Sequence, residues 1–213
     1  MKKLILASLA LTCALGAFAQ GTVVFNNRVS GTLVTYVYAP LATDRLFHQI
    51  GNGADSTPAG TTDWSKFTKI SGSGYLATLM SAPTAGAAES ALAFASVTSS
   101  FRTGGAAGNV AGITLTLPNV AAGANIATLQ MFAWDNSDGK YATAQAAWDA
   151  WKNGDIAGGV SGTFNLEAIG GGLNSNPNLT GLQSFNLYYV PEPSSMALAG
   201  LGAAALLIFR RRK

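Results

Sequence analysis

Apolar and polar residues alternate with a period of two through much of the chain, the signature of half-buried β-strands. Ile113, Leu115 and Leu117 fall on one side of such a segment, with Thr114 and Thr116 on the other. Ala127, Leu129, Met131 and Ala133 share a face. Val160, Phe164, Leu166 and Ala168 oppose Ser161, Thr163, Asn165 and Glu167. Phe185, Leu187 and Tyr189 oppose Ser184, Asn186 and Tyr188. Val23 and Phe25 start a first strand, and Leu33 to Tyr38 reads as a second, apolar on both faces. Tyr75 to Met80 and Leu92 to Ser99 add two more, and Pro118-Asn119 with Ala121 to Asn125 reads as a turn. Strands of this number with turns between them predict an all-β antiparallel sandwich over residues 20–189.

One segment departs from period two. Tyr141, Trp148 and Trp151 recur near helical spacing in an alanine-rich stretch, between Asp138 as a candidate cap and Gly154 as a stop. A short helix packing its aromatics on the sandwich is expected. The sharper alternative is an aromatic platform for a sugar, formed by Trp148, Trp151 or Trp64. Residues 51–63 and 170–178, rich in Gly, Asn, Ser and Thr, read as loops.

The two ends follow other rules. Lys2 and Lys3, an apolar stretch from Leu4 to Leu15, and Ala17-Phe18-Ala19 form the three parts of a secretory signal peptide over residues 1–19, which places cleavage before Gln20. Cys13 offers a lipoprotein alternative, although its preceding residues suit that poorly. At the other end, Val190-Pro191-Glu192-Pro193 precedes an apolar run of 14 residues from Met196 to Phe209, and Arg210-Arg211-Arg212-Lys213 closes the chain. A helix over Ser194 to Phe209 reaches about 24 Å, short for a bilayer unless basic residues snorkel. The basic cluster predicts a transmembrane helix with its C-terminus in the cytoplasm. The prolines hold the junction extended, as a processing enzyme requires.

The order Pro-Glu-Pro, apolar helix, arginine cluster over residues 190–213 resembles the PEP-CTERM sorting signal of exported proteins of Gram-negative bacteria. The resemblance implies an exosortase-type enzyme as partner, an inner-membrane intermediate, and delivery to the cell envelope or exterior. Gly21 to Asn27, Phe101 to Gly104, Trp134-Asp135 and Leu179 to Phe185 also resemble a group of PEP-CTERM proteins with a β-sandwich-like body. That second resemblance brings no catalytic residues with it.

Charge and chemistry narrow the function further. The formal charge of +3 comes from the ends; the span between Gln20 and Val190 holds seven basic and nine acidic residues. That leaves no electrostatic footing for nucleic acid. Cys13 is the only cysteine, so the mature body has no disulfide, thiolate metal site or cysteine nucleophile. His48 is the only histidine and is not expected to be catalytic. Gly72-Ser73-Gly74 precedes a strand rather than a helix, against a dinucleotide site. Asp135 to Asp138 crowds oxygen ligands but lacks the EF-hand spacing; a turn is the first reading, and a loose calcium site stays open. No metal and no cofactor are expected. The sequence therefore predicts a non-enzymatic envelope or matrix protein, reached through signal peptidase and the export machinery, with an exopolysaccharide-binding module as the alternative.

Overall fold

The computed structural model describes residues 19–191. All of the expected signal peptide over residues 1–19 but Ala19, and the expected transmembrane helix of the tail, lie outside the described residues. Among the described residues no helix is long and apolar enough to cross a membrane.

The described fold is mostly β, with several sheets and one α-helix. Its centre is a pair of long antiparallel strands, β5 (Tyr75–Ala82) and β9 (Ile126–Asp135), registered from Tyr75 opposite Asp135 to Ala82 opposite Thr128. Strands β6 (Ala93–Phe94) and β7 (Ser99–Ser100) pair with β5. Strands β10 (Gly158–Val160) and β11 (Phe164–Glu167) pair with the free edge of β9. A ribbon of β1 (Gln20–Phe25) and β8 (Ile113–Ala121) covers one face of this six-stranded sheet. Helix α1 (Ala144–Lys152) covers the other.

This layering follows from β9. The strand is buried on both sides: one face carries Ala127, Leu129, Met131 and Ala133, and the other carries the buried polar Thr128 and Gln130 followed by Phe132 and Trp134. Ala127, Leu129, Met131 and Ala133 face the ribbon and meet Val23, Phe25, Leu115 and Leu117. Phe132 and Trp134 face the helix and meet Ala147 and Trp151. Full burial of one such large side chain contributes roughly 1.5–3 kcal/mol.

Several expected elements are resolved differently. Strand β8 continues through Pro118 and Asn119, which are strand and not turn, although its alternation shifts phase there, with Leu117 and Val120 both buried. The ribbon absorbs them by a register shift: Gln20 pairs with Ala121 but Thr22 with Thr116, and Asn119 takes a left-handed φ of 61°. The turn proper is confined to the residues between Ala121 and Ile126. Leu33 to Tyr38 divides into β3 (Leu33–Val34) and β4 (Val37–Tyr38). Between them Tyr36 donates its amide to the Ser184 hydroxyl at 3.0 Å instead of to a ladder. β3 pairs with β2 (Arg28–Val29), whereas β4 pairs with β12 (Phe185–Asn186). The last pair is parallel, against the expectation of wholly antiparallel sheets. Leu92 to Ser99 is likewise broken into β6 and β7. Val160 and Leu166 do not share one strand face: β10 ends at Val160, which joins the helix-side core, while Leu166 joins the ribbon-side core. Ala168 is exposed with a φ of 52°.

The cap of α1 is Thr143, whose hydroxyl accepts the Ala146 amide at 3.4 Å, and not Asp138. Asp138 sits five residues earlier in a tight turn with φ 57°. Buried Asn27 ties three segments: its side-chain NH2 donates to Thr35 O at 2.8 Å and Gly108 O at 3.0 Å, and its oxygen accepts the Val110 amide at 2.9 Å. A buried amide satisfied on both sides fixes a unique packing.

Candidate functional site: the tail stem and the aromatic cavity

The body holds the chain up to the residue where the tail begins. Phe185 and Asn186 pair with β4, and Leu187 donates its amide to Tyr38 O at 2.8 Å. Tyr188 exchanges backbone hydrogen bonds with Gly158, donating at 2.8 Å and accepting at 3.1 Å. Tyr189 donates its amide to Arg45 O at 2.8 Å. Burial falls off in step: Leu187 is buried, Tyr188 to Val190 are half-buried, and Pro191 is exposed. Glycines let this stem sit close. A Cβ on Gly159 would come within 2.5 Å of Asn186 O, and one on Gly158 within 2.6 Å of the Trp151 ring.

Of the residues expected to form the sorting motif, Val190 packs against the helix-side core and Pro191 points the chain out of the body. Glu192, Pro193, Arg210, Arg211, Arg212 and Lys213 lie outside the described residues, as does Ala17. Ala19 and Gln20 are exposed at the start of β1, and Ala19 O accepts the Ala122 amide at 2.7 Å. The expected cleavage bond thus adjoins the β8–β9 turn, whereas the stem leaves beside Tyr75 and Asp135, at the far end of β9.

The loop that strapped Tyr189 was not singled out from the sequence. Residues 42–48 are all exposed. Asn186 clasps this loop, donating from its side-chain NH2 to Phe47 O at 2.9 Å and accepting the Gln49 amide at 2.8 Å. The Arg45 guanidinium lies 3.9 Å over the Tyr189 ring, and His48 lies 4.8 Å from the Tyr188 ring. The available signal was the adjacent apolar pair Leu46-Phe47 inside an otherwise polar stretch.

The tryptophans separate into two clusters. Trp64 lines a cavity of about 770 Å³ with Tyr38, Phe67, Asp55, Asp63 and Lys69. Its ring stacks on Tyr38 at 4.2 Å and 5°, Phe67 meets it edge-on at 5.0 Å, and its Nε1 donates to Gly51 O at 3.0 Å. Trp64 itself is only 7% exposed. Lys69 pairs with Asp55 at 2.9 Å and lies 3.2 Å over Tyr36. Burial, helped by the Asp55 carboxylate and Tyr36, pushes the Tyr38 phenol above its ordinary range. The Ser65 amide, donating to Asp63, holds that exposed carboxylate below its ordinary value. The loop over residues 51–63 therefore forms much of a cavity wall, a role its composition did not reveal.

Trp148 and Trp151 belong to the helix-side core. They meet each other at 5.2 Å and 70°, and Trp151 is fully buried against Phe132 and Tyr188. Its Nε1 donates to Tyr188 O at 3.1 Å, so the helix helps to hold the stem. Neither ring is coplanar with the other. In the acidic turn, Asp135 accepts the Ser137 amide and Asn136 the Gly139 amide, each at 2.8 Å. These oxygens form the turn that the sequence suggested. Among the described residues no cluster of three His, Cys, Asp or Glu side chains has metal-binding placement.

A family model described as the PEP-CTERM protein-sorting motif matches residues 190–213. No curated protein and no solved structure matches the chain. The chain thus carries a PEP-CTERM sorting motif, and the motif opens at Val190, the last residue that the body packs.

Proposed function

We propose that this chain, bearing a PEP-CTERM sorting motif, is an exported protein of the cell envelope or extracellular matrix whose body is a non-catalytic structural or interaction module. A signal peptide over residues 1–19 directs export, signal peptidase cuts before Gln20, and an exosortase-type enzyme acts on the tail. The inner membrane holds the intermediate, with Arg210 to Lys213 on the cytoplasmic side. The observation that carries this reading is the meeting of body and motif: packing ends at Val190, and Pro191 is the first fully exposed residue of the stem. A rigid body thereby offers an extended peptide immediately outside a membrane.

Glu192→Ala, or replacement of Pro191 and Pro193, is expected to leave export intact and block removal of the tail. The uncut protein should fractionate with the inner membrane and retain its C-terminal mass by mass spectrometry. Tail removal at the wild-type position in the Glu192 variant would overturn the reading.

A second reading, a carbohydrate-binding module for exopolysaccharide, rests on the Trp64 cavity. Its volume of about 770 Å³ lies in the range of small-molecule sites, and its wall combines Trp64 and Phe67 with carboxylates and threonine hydroxyls. The buried Trp151 and half-buried Trp148, which are not coplanar, support packing instead.

A further inference from the structure

Four large apolar side chains are exposed among the described residues: Leu46, Phe47, Val97 and Leu173. Scattered single residues of this kind are ordinary on a protein surface. Leu46 and Phe47 are adjacent, however, and 52% and 40% exposed. They sit on the loop that clasps the stem, one and two residues beyond the Arg45 carbonyl that accepts the Tyr189 amide. Phe47 also lies 6.2 Å from half-buried Phe67, which widens the apolar surface.

We propose that Leu46 and Phe47 form a membrane-contact edge, inserting into the headgroup–acyl boundary of the bilayer that receives the tail. This rests on the membrane-held intermediate of the preceding section. The chain itself argues for lipid as the occupant. From Val190 to Met196, where the apolar run begins, six residues reach at most roughly 20 Å even when fully extended. The packed stem adds no slack, because Tyr188 and Tyr189 are bonded to Gly158 and Arg45. The pole carrying Leu46 and Phe47 is therefore tethered at the bilayer surface. Its composition suits that place. Two apolar tips project from the loop, Tyr188 and Tyr189 present amphipathic rings beside them, and Arg45 supplies a cation on a long stem. Exposed Asp44 accepts the Leu46 amide at 3.0 Å, which braces the apolar pair. Insertion fixes the tilt of the body and hence the height at which Pro191 stands above the membrane.

The test uses the leader-free chain from Gln20 to Lys213, which contains no cysteine, reconstituted in phosphatidylethanolamine/phosphatidylglycerol vesicles. Single cysteines at Phe47→Cys, Leu46→Cys or Leu173→Cys carry an environment-sensitive fluorophore. Flotation first reports whether the tail associates with the vesicles. Lipids brominated near the headgroup should then quench the labels at 46 and 47 by at least about twofold more than the label at 173, given an insertion depth of about 5–10 Å. The two neighbouring sites keep the test decisive if one variant misfolds. Flotation with equal, weak quenching at all three sites overturns the contact edge and leaves the tethered intermediate standing. A blue shift at 46 and 47 without lipid quenching overturns it too, because the tail would then occupy the patch. A chain that does not float removes the tethered state and the contact edge together.

Discussion

The two aromatic clusters use similar side chains for opposite ends. Around Trp151 most rings meet at steep angles between helix and sheet, and the Trp151 ring itself is fully buried. Around Trp64 the rings stack in parallel on one side and face a cavity on the other. The difference lies in what supplies the second wall. Helix α1 closes the first cluster with Ala147 and Ala150, whose small side chains let Trp151 approach β9. The second cluster is faced by a glycine- and threonine-rich loop, which leaves room. Aromatic content alone thus does not mark a binding surface; the chain opposite the rings decides.

The largest expected effect would break this contrast. Trp151→Ala should destabilise the body by about 3–5 kcal/mol, since it opens a void beneath a helix held by Phe132 and the stem. Trp64→Ala should cost clearly less, because the vacated volume merges with a cavity that water can fill. Urea unfolding of both variants checks the order, and equal losses would make the Trp64 cluster a core like the other.

A smaller effect sharpens the comparison through pH. Burial raises the phenols of Tyr38, in the cavity cluster, and of Tyr188, against the helix cluster. A raised phenol keeps its proton in the fold after the unfolded chain has begun to lose it. The stability that depends on it is fully present below the ordinary value of 10.0 and is lost as pH rises through the folded value. Melting temperature should therefore hold steady to about pH 10 and fall above it. Tyr38→Phe should flatten that fall more than Tyr188→Phe, because Tyr38 has the larger shift.

The smallest effect concerns the cavity rim. Asp55 and Lys69 form an ion pair at 2.9 Å, but both side chains are well exposed, at 53% and 31%. Asp55→Asn should change stability by less than about 1 kcal/mol. A calorimetric titration of the same variant with a neutral oligosaccharide separates the roles. Binding by the wild type that the variant loses, at unchanged stability, assigns the rim to recognition. A wild type that does not bind removes the carbohydrate reading.

Regular alternation was the legible part of the fold. Leu115, Leu117 and Leu129 to Ala133 were placed correctly because each is buried in a long strand with a partner over most of its length. The β3–β4 and β6–β7 regions failed for the opposite reason. In the first the Tyr36 amide goes to the Ser184 hydroxyl from a distant segment, and in the second the Val97 carbonyl accepts from the Thr78 hydroxyl, so each ladder breaks. Period two reports burial and cannot report which group takes each amide. The sorting motif was legible because it is contiguous. The stem clasp at Arg45, Phe47 and Asn186 was not, because the Asn186 side chain meets, more than 130 positions away, backbone groups that every residue type carries.

Gln20 and Tyr189 stand near opposite ends of β9, and ten residues of strand span about 33 Å. On the proposed reading, this distance imposes an order in time. A leader still joined to Gln20 leaves only a handful of residues, about 17 Å of extended chain, between its apolar stretch and β1. It could not stay in the bilayer while the body rests upright on the Arg45 pole. Leader removal therefore precedes that upright posture. The stem is completed by β12 docking on β4, a closure across nearly the whole body. On that reading the docked stem, and not the tail itself, sets where Pro191 leaves the body.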